Sequence, residues 1–92
     1  MIDFEWDPRK AVSNLRKHGV SFTEAGTVFG DELSITVSDP DHSEDEDRFI
    51  TIGWLNRRRL LIVTHTVRAD KIRIISAREL TKAERKDYEE AI

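Results

Sequence analysis

RFITIGWLNRRRLLIVTHTVRADKIRIISAR, residues Arg48 to Arg78, decides the fold. Arg48 to Leu55 alternates as a strand, with Ile50, Ile52 and Trp54 on one side. Asn56-Arg57 suits a hairpin turn, and Leu60 to Val67 returns. Alternation there separates Leu61, Val63, His65 and Val67 from Leu60, Ile62, Thr64 and Thr66. Both sets are mostly apolar near the start, which marks the central strand. Ala69-Asp70 makes a second tight turn into Lys71 to Ala77. Alternation puts Lys71 and Arg73 on one face of that strand and Ile72, Ile74 and Ser76 on the other. Arg68 falls at the turn and Arg78 just past the strand end.

The flanks add helices. Phe4 to Trp6 reads as a short first strand. Asp7 can then cap a helix whose first position is Pro8, where the missing amide donor is not needed. That helix runs to about His18, and Gly19 suits the left-handed residue that stops it. Its apolar stripe is Ala11, Val12 and Leu15, with Arg9, Lys10, Asn14, Arg16 and Lys17 elsewhere on its surface. Ser21 and Glu24 form a capping box for a second helix to about Phe29. Leu33 to Val37 alternates as another strand. Thr81 and Glu84 form a second capping box, starting a helix to about Glu90 with Ala83, Tyr88 and Ala91 as inward positions. The class is α+β: a small, mostly antiparallel β-sheet with two N-terminal helices and one C-terminal helix, in a single domain over residues 1–92.

Composition narrows the function. The chain has 92 residues, 36% of them charged, a net charge of −3 and no cysteine. Disulfides and thiolate metal sites are excluded, which fits a cytoplasmic location. No run is long and apolar enough to span a membrane, and the acidic start, Met1 to Pro8, is no secretion signal. The charge is unevenly spread. Asp39 to Arg48 holds six acids and one base, whereas Asn56 to Lys86 holds ten bases and three acids. A basic stretch in an acidic chain marks a surface that meets an anion, and phosphate suits the guanidinium fork best.

Arg68, Lys71, Arg73 and Arg78 are therefore candidate phosphate ligands, against the alternative of a solvated face paired with Asp70, Glu79 and Glu84. Cleaving RNA through its own 2′-hydroxyl needs a base, an acid and cations around the phosphate. His65 is either a proton carrier or a hydrogen-bonded, partly buried ring. His18 is either functional or a cation favoured by the helix C-terminus. Tyr88 is either a core-edge residue or a phenol reaching the basic face. The acidic segment lacks the glycine of a calcium loop, and His42 has no metal-ligand spacing beside it. Glu46 stands at the start of a strand and can reach the sheet edge.

Phe4-Glu5-Trp6-Asp7, Asn14-Leu15-Arg16-Lys17-His18-Gly19-Val20-Ser21-Phe22, Asp41-His42-Ser43 with Glu46 and Arg48, and Arg73-Ile74-Ile75-Ser76-Ala77-Arg78 with Glu84-Arg85 together resemble the BrnT toxin family over nearly the whole chain. Position 69 is Ala where the family often has glycine, and position 65 is His where tyrosine is also common. The resemblance implies a RelE-like ribonuclease fold and RNA cleavage that stops translation. It also implies neutralisation by a BrnA-like ribbon-helix-helix antitoxin, with DNA met only through that partner. The matching positions are Lys17, His18, Glu46, Arg48, Arg68, Arg73 and Arg78. The expectation is an endoribonuclease needing neither metal nor cofactor. Arg68, Arg73 and Arg78 hold the phosphate, while Lys17, Lys71 and Arg48 steer the backbone. His65 or Glu46 is the base, and His18 or Tyr88 the acid. The rivals are a non-catalytic RNA- or ribosome-binding module and a decayed toxin that survives as a co-repressor.

Overall fold

The computed structural model describes residues 2–39 and 47–91. His42 and Glu46 lie outside the described residues. The elements are β1 (Asp3–Glu5), α1 (Pro8–His18), α2 (Phe22–Thr27), a 3₁₀ turn (Val28–Gly30), β2 (Ile35–Ser38), β3 (Arg48–Leu55), β4 (Arg59–Arg68), β5 (Lys71–Glu79) and α3 (Lys82–Ala91). They build one five-stranded sheet in the order β1-β5-β4-β3-β2. β1 runs parallel to β5 and the other pairings are antiparallel, so the sheet is mixed.

The helix starts follow the capping residues. Asp7 Oδ1 accepts from the Arg9 amide at 2.8 Å, and α1 ends at Gly19 with φ 68°. Ser21 and Glu24 close their box at 3.0 Å each way. Thr81 and Glu84 do the same for α3, at 2.9 and 3.2 Å. The hairpin turns also fall where expected, but with strain. Asn56 and Arg57 sit at φ 51° and 61°, and Ala69 at 53°. Asn tolerates that region; Arg and Ala do not, because Cβ crowds the following carbonyl.

One face of the sheet packs on α1 and α2. Leu55, Leu61, Val63, Ile74 and Ala77 meet Val20, Phe22, Ala25 and Val28 in the buried core, with Phe4, Trp6 and Phe29 against it. Gly53 is required there, since a Cβ would come within 2.7 Å of Val28. α3 covers part of the opposite face, where Tyr88 and Ala91 lie over Ile35, Ile52 and Ile62. Of the three inward positions expected on α3, Tyr88 is buried and Ala83 and Ala91 are exposed.

Two departures position the rest. First, α1 does not bury the expected stripe. Val12 and Leu15 are 57% and 51% exposed, and the buried residue is Asn14. β1 pairs only with Lys71 to Arg73, so the outer edge of β5 is uncovered beyond that point. Asn14 closes it: Oδ1 accepts from the Ala77 amide at 3.1 Å, and Nδ2 donates to the Ala77 and Val20 carbonyls at 2.8 and 3.0 Å. Second, β5 bulges. Thr64 faces Ser76 while His65 faces Ile74, leaving Ile75 as the extra residue. Alternation alone put Ser76 away from Arg73. The bulge reverses the parity, so Arg73 (opposite Thr66) and Arg78 (opposite Ile62) share one face.

Replacing Asn14 with Ala leaves the buried Ala77 amide and carbonyl without partners, at a cost of about 2–4 kcal/mol. The expected result in urea or thermal unfolding is a loss of roughly 10–20 °C in Tm. Ala69→Gly should act oppositely. Relief of about 1–2 kcal/mol of left-handed strain exceeds the extra unfolded-state entropy of glycine, for a gain of roughly 0.5 kcal/mol.

Candidate nucleic-acid interface

The cations differ in how they are engaged. Arg78 is ion-paired. Its Nη1 and Nη2 donate to Glu84 Oε1 and Oε2 at 2.8 and 3.0 Å, and Nη1 also reaches the Glu79 carbonyl at 3.1 Å. The pair ties α3 to the sheet. Hydrogen bonding from Arg78, and then from the Thr81 amide, holds the Glu84 carboxyl down to about 2. Arg59 is similarly held between Glu79 and the Gly19 carbonyl, both at 3.2 Å.

Another group of cations lies at one end of the sheet and along α1. On the face opposite the α1–α2 layer, Arg48, Thr66, Arg73 and Glu5 form one cross-strand row, and Arg68, Lys71 and Asp3 the next. Arg73 meets Glu5 only at 3.8 Å. Two residues further along β5, Ile75 and Ser76 form one wall of a shallow groove of about 200 Å³. α1 forms the other wall with Lys10, Ser13, Asn14, Lys17 and His18. The helical period brings Lys10, Asn14 and Lys17 to one side, and Asn14 fixes that side against the strand. No carboxylate among the described residues lines the groove. Among the described residues, the side chains of Lys10, Lys17 and Lys71 have no hydrogen-bond or ion-pair partner.

The structure separates the expected proton carriers. His18 lines the groove beside Lys17. His65 sits on the opposite, helix-facing side of the sheet and is 4% exposed. Its ring packs edge-on against Phe29 at 4.8 Å and stacks on Phe49 at 5.9 Å. Nε2 shares a 2.8 Å hydrogen bond with Thr51 Oγ1, which in turn contacts Thr36 Oγ1 at 2.7 Å. Nδ1 has no partner among the described residues. Desolvation lowers this imidazole from 6.5 to about 4. Tyr88 is 5% exposed beneath α3, with its hydroxyl 3.4 Å from the Leu33 carbonyl. Burial pushes its phenol up. Trp6 packs edge-on against Phe22, and Trp54 lies under the Arg85 guanidinium.

Lys10, Ser13 and Ser76 were missed by the sequence reading. For the two on α1 the signal was the spacing of bases, since the helix carries Arg9, Lys10, Arg16 and Lys17 with no acid between Pro8 and His18. Ser76 had no usable signal, because only the bulge brings it to this side.

The buried His65 makes stability depend on pH. Its folded value of about 4 lies below the ordinary 6.5, so the unfolded chain takes up the proton first. The contribution is complete above pH 6.5 and is lost as pH falls towards 4, by about 3 kcal/mol in full. Urea unfolding of wild type and His65→Gln at neutral and acid pH checks this: the stability difference should shrink as pH falls through that window. A constant difference would place the imidazole in water.

A family model described as the ribonuclease toxin BrnT of type II toxin–antitoxin systems matches residues 6–84. The crystal structure of the Brucella abortus ribonuclease toxin BrnT is similar in fold, with a TM-score of 0.67 at 20% sequence identity. The likeness covers 89% of this chain and 100% of that one. No curated protein matches by sequence. With 79 of its 92 residues inside the family model, the chain belongs to the BrnT family of ribonuclease toxins of type II toxin–antitoxin systems.

Proposed function

We propose that this chain cleaves RNA without a metal, using the 2′-hydroxyl as nucleophile, and that the groove between α1 and the β5 edge is where it does so. The single observation behind this is the lining: two ammonium groups, an imidazole and two hydroxyls, with no carboxylate among the described residues. Such a set attracts a phosphodiester and repels a divalent cation. On this reading His18 takes the 2′-hydroxyl proton. The freed oxygen attacks phosphorus, and the bond to the 5′-oxygen breaks. Lys17 protonates that leaving oxygen, and Lys10 offsets the extra negative charge on the phosphorane. The products are a 2′,3′-cyclic phosphate and a 5′-hydroxyl. Lys71, Arg73, Arg68 and Arg48 carry the backbone over the adjoining end of the sheet.

The cellular consequence we propose is arrest of translation in the cytoplasm, relieved by a BrnA-like ribbon-helix-helix antitoxin that also supplies any contact with DNA. Arg78 and His65 serve the fold in this scheme, as ion-pair clamp and core ring, and Tyr88 packs beneath α3. That same engagement favours the second reading, a binding module or co-repressor, if His18 proves dispensable.

The test is cleavage of end-labelled RNA by the purified chain in EDTA. Wild type should leave 5′-hydroxyl ends. His18→Ala should cut about 100-fold more slowly or worse, the ordinary loss for a proton carrier. Lys17→Ala should also be slow, with its circular dichroism unchanged. Full activity in His18→Ala would remove this residue from the chemistry. No cleavage by wild type, with ribosomes present or absent, would shift the assignment to the second reading.

A further inference from the structure

The sheet's two outer edges are protected differently. At one edge, β1 carries Asp3 and Glu5, and beyond it Asn14 closes β5. Charged side chains and a covering helix are common ways to stop an edge pairing with another chain. Among the described residues, the opposite edge, β2, has neither. Ser34-Ile35-Thr36-Val37-Ser38 contains no charge and no proline, and its central residues are β-branched. Val37 is 50% exposed, and Leu33 just upstream is 65% exposed. Beside β2, an apolar groove of about 320 Å³ runs between α3 and the sheet, lined by Ile35, Ile52, Ile62, Tyr88 and Ala91.

The charges around this edge select its occupant. Glu32 precedes β2 and is exposed, and Asp87 lines the groove; Asp31 already accepts from the Leu33 and Trp54 amides, and Asp39 is buried and engaged. A second copy would offer its own Leu33 to Ser38 segment, which carries no base to meet these acids. A strand with an apolar centre and basic flanks satisfies both features.

We propose that the β2 edge receives such a strand from the antitoxin, extending the sheet to six strands by main-chain hydrogen bonds. The proposal rests on the toxin–antitoxin reading for the identity of the partner, and on the edge itself for the mode of binding. β2 lies three strands from β5, roughly 14 Å across the sheet at the usual spacing. The docked strand is therefore an anchor, and the catalytic groove remains open beneath it.

Amide hydrogen exchange on the full chain, alone and mixed with its antitoxin, tests this directly. The expected result is new protection at residues 34–38 in the complex. Val37→Lys, on an exposed position outside the groove, should weaken the complex about tenfold or more while cleaving RNA as wild type does. A stable complex whose β2 amides exchange as in the free chain overturns the proposal, as does undiminished affinity in Val37→Lys. Absence of any complex removes the antitoxin pairing and this inference with it. Absence of RNA cleavage with a β2-protected complex leaves the inference standing and counts against the nuclease alone.

Discussion

Ala77 lies on the outer edge of β5, past the last residue that β1 reaches. Its amide and carbonyl are buried there and need partners that are not water. Asn14 provides both from one carboxamide, which presents a donor and an acceptor much as a neighbouring strand would. The third hydrogen bond, to the Val20 carbonyl, ties the start of the second helical segment to the same point. This contact fixes how α1 lies against the sheet. With Asn14 turned inward, helical geometry leaves Lys10 and Lys17 over Ile75 and Ser76, and sends Val12 and Leu15 outward. The basic groove is thus a consequence of an edge being closed by a side chain.

The bulge at Ile75 is the second determinant. A regular strand would have split its arginines between the core and the solvent face, burying a guanidinium that nothing there could pair. One extra residue keeps Ile74 and Ala77 both in the core, and leaves Arg73 and Arg78 both outside it. Their fates then differ because of what α3 brings. Glu84 engages Arg78 through both carboxylate oxygens, and its low proton affinity shows how strongly that charge is held. Arg73 has only a long contact to Glu5. Among clustered arginines, the partner decides which one is available to an incoming phosphate.

Those distinctions mark the limit of what the sequence discloses. Asp7-Pro8 and Gly19, and the Ser21–Glu24 and Thr81–Glu84 boxes, were legible because capping is local, with every partner within a few residues. The hairpins were legible for the same reason, although Ala69 occupies a turn that favours glycine. Asn14 was misread as surface because its partner is 63 residues away, and a polar residue on a helix normally faces water. His65 was left open by alternation, which gives a side but not which side is the core. Of the proposed groove, the basic character of α1 was readable, and His18 was left open between a functional and a helix-end role. The pairing of Arg78, the burial of His65 and the arrival of Ser76 all depend on contacts that no spacing rule encodes.

The sheet thereby assigns its two edges opposite tasks. The β5 edge is sealed by a cationic helix, so anything that binds there does so through side chains and charge. The β2 edge keeps its backbone available, so what binds there does so by extending the sheet. Between them lies the outer face of the sheet, with Val37 and Ile50 on one side and Thr66 and Arg73 on the other. A protein that must be active when free and silent when bound gains from this separation. On the proposed reading, the antitoxin anchors on the apolar β2 edge and reaches the groove across the outer face. On that reading, affinity for the antitoxin is free to vary without altering the cations proposed to meet the phosphate.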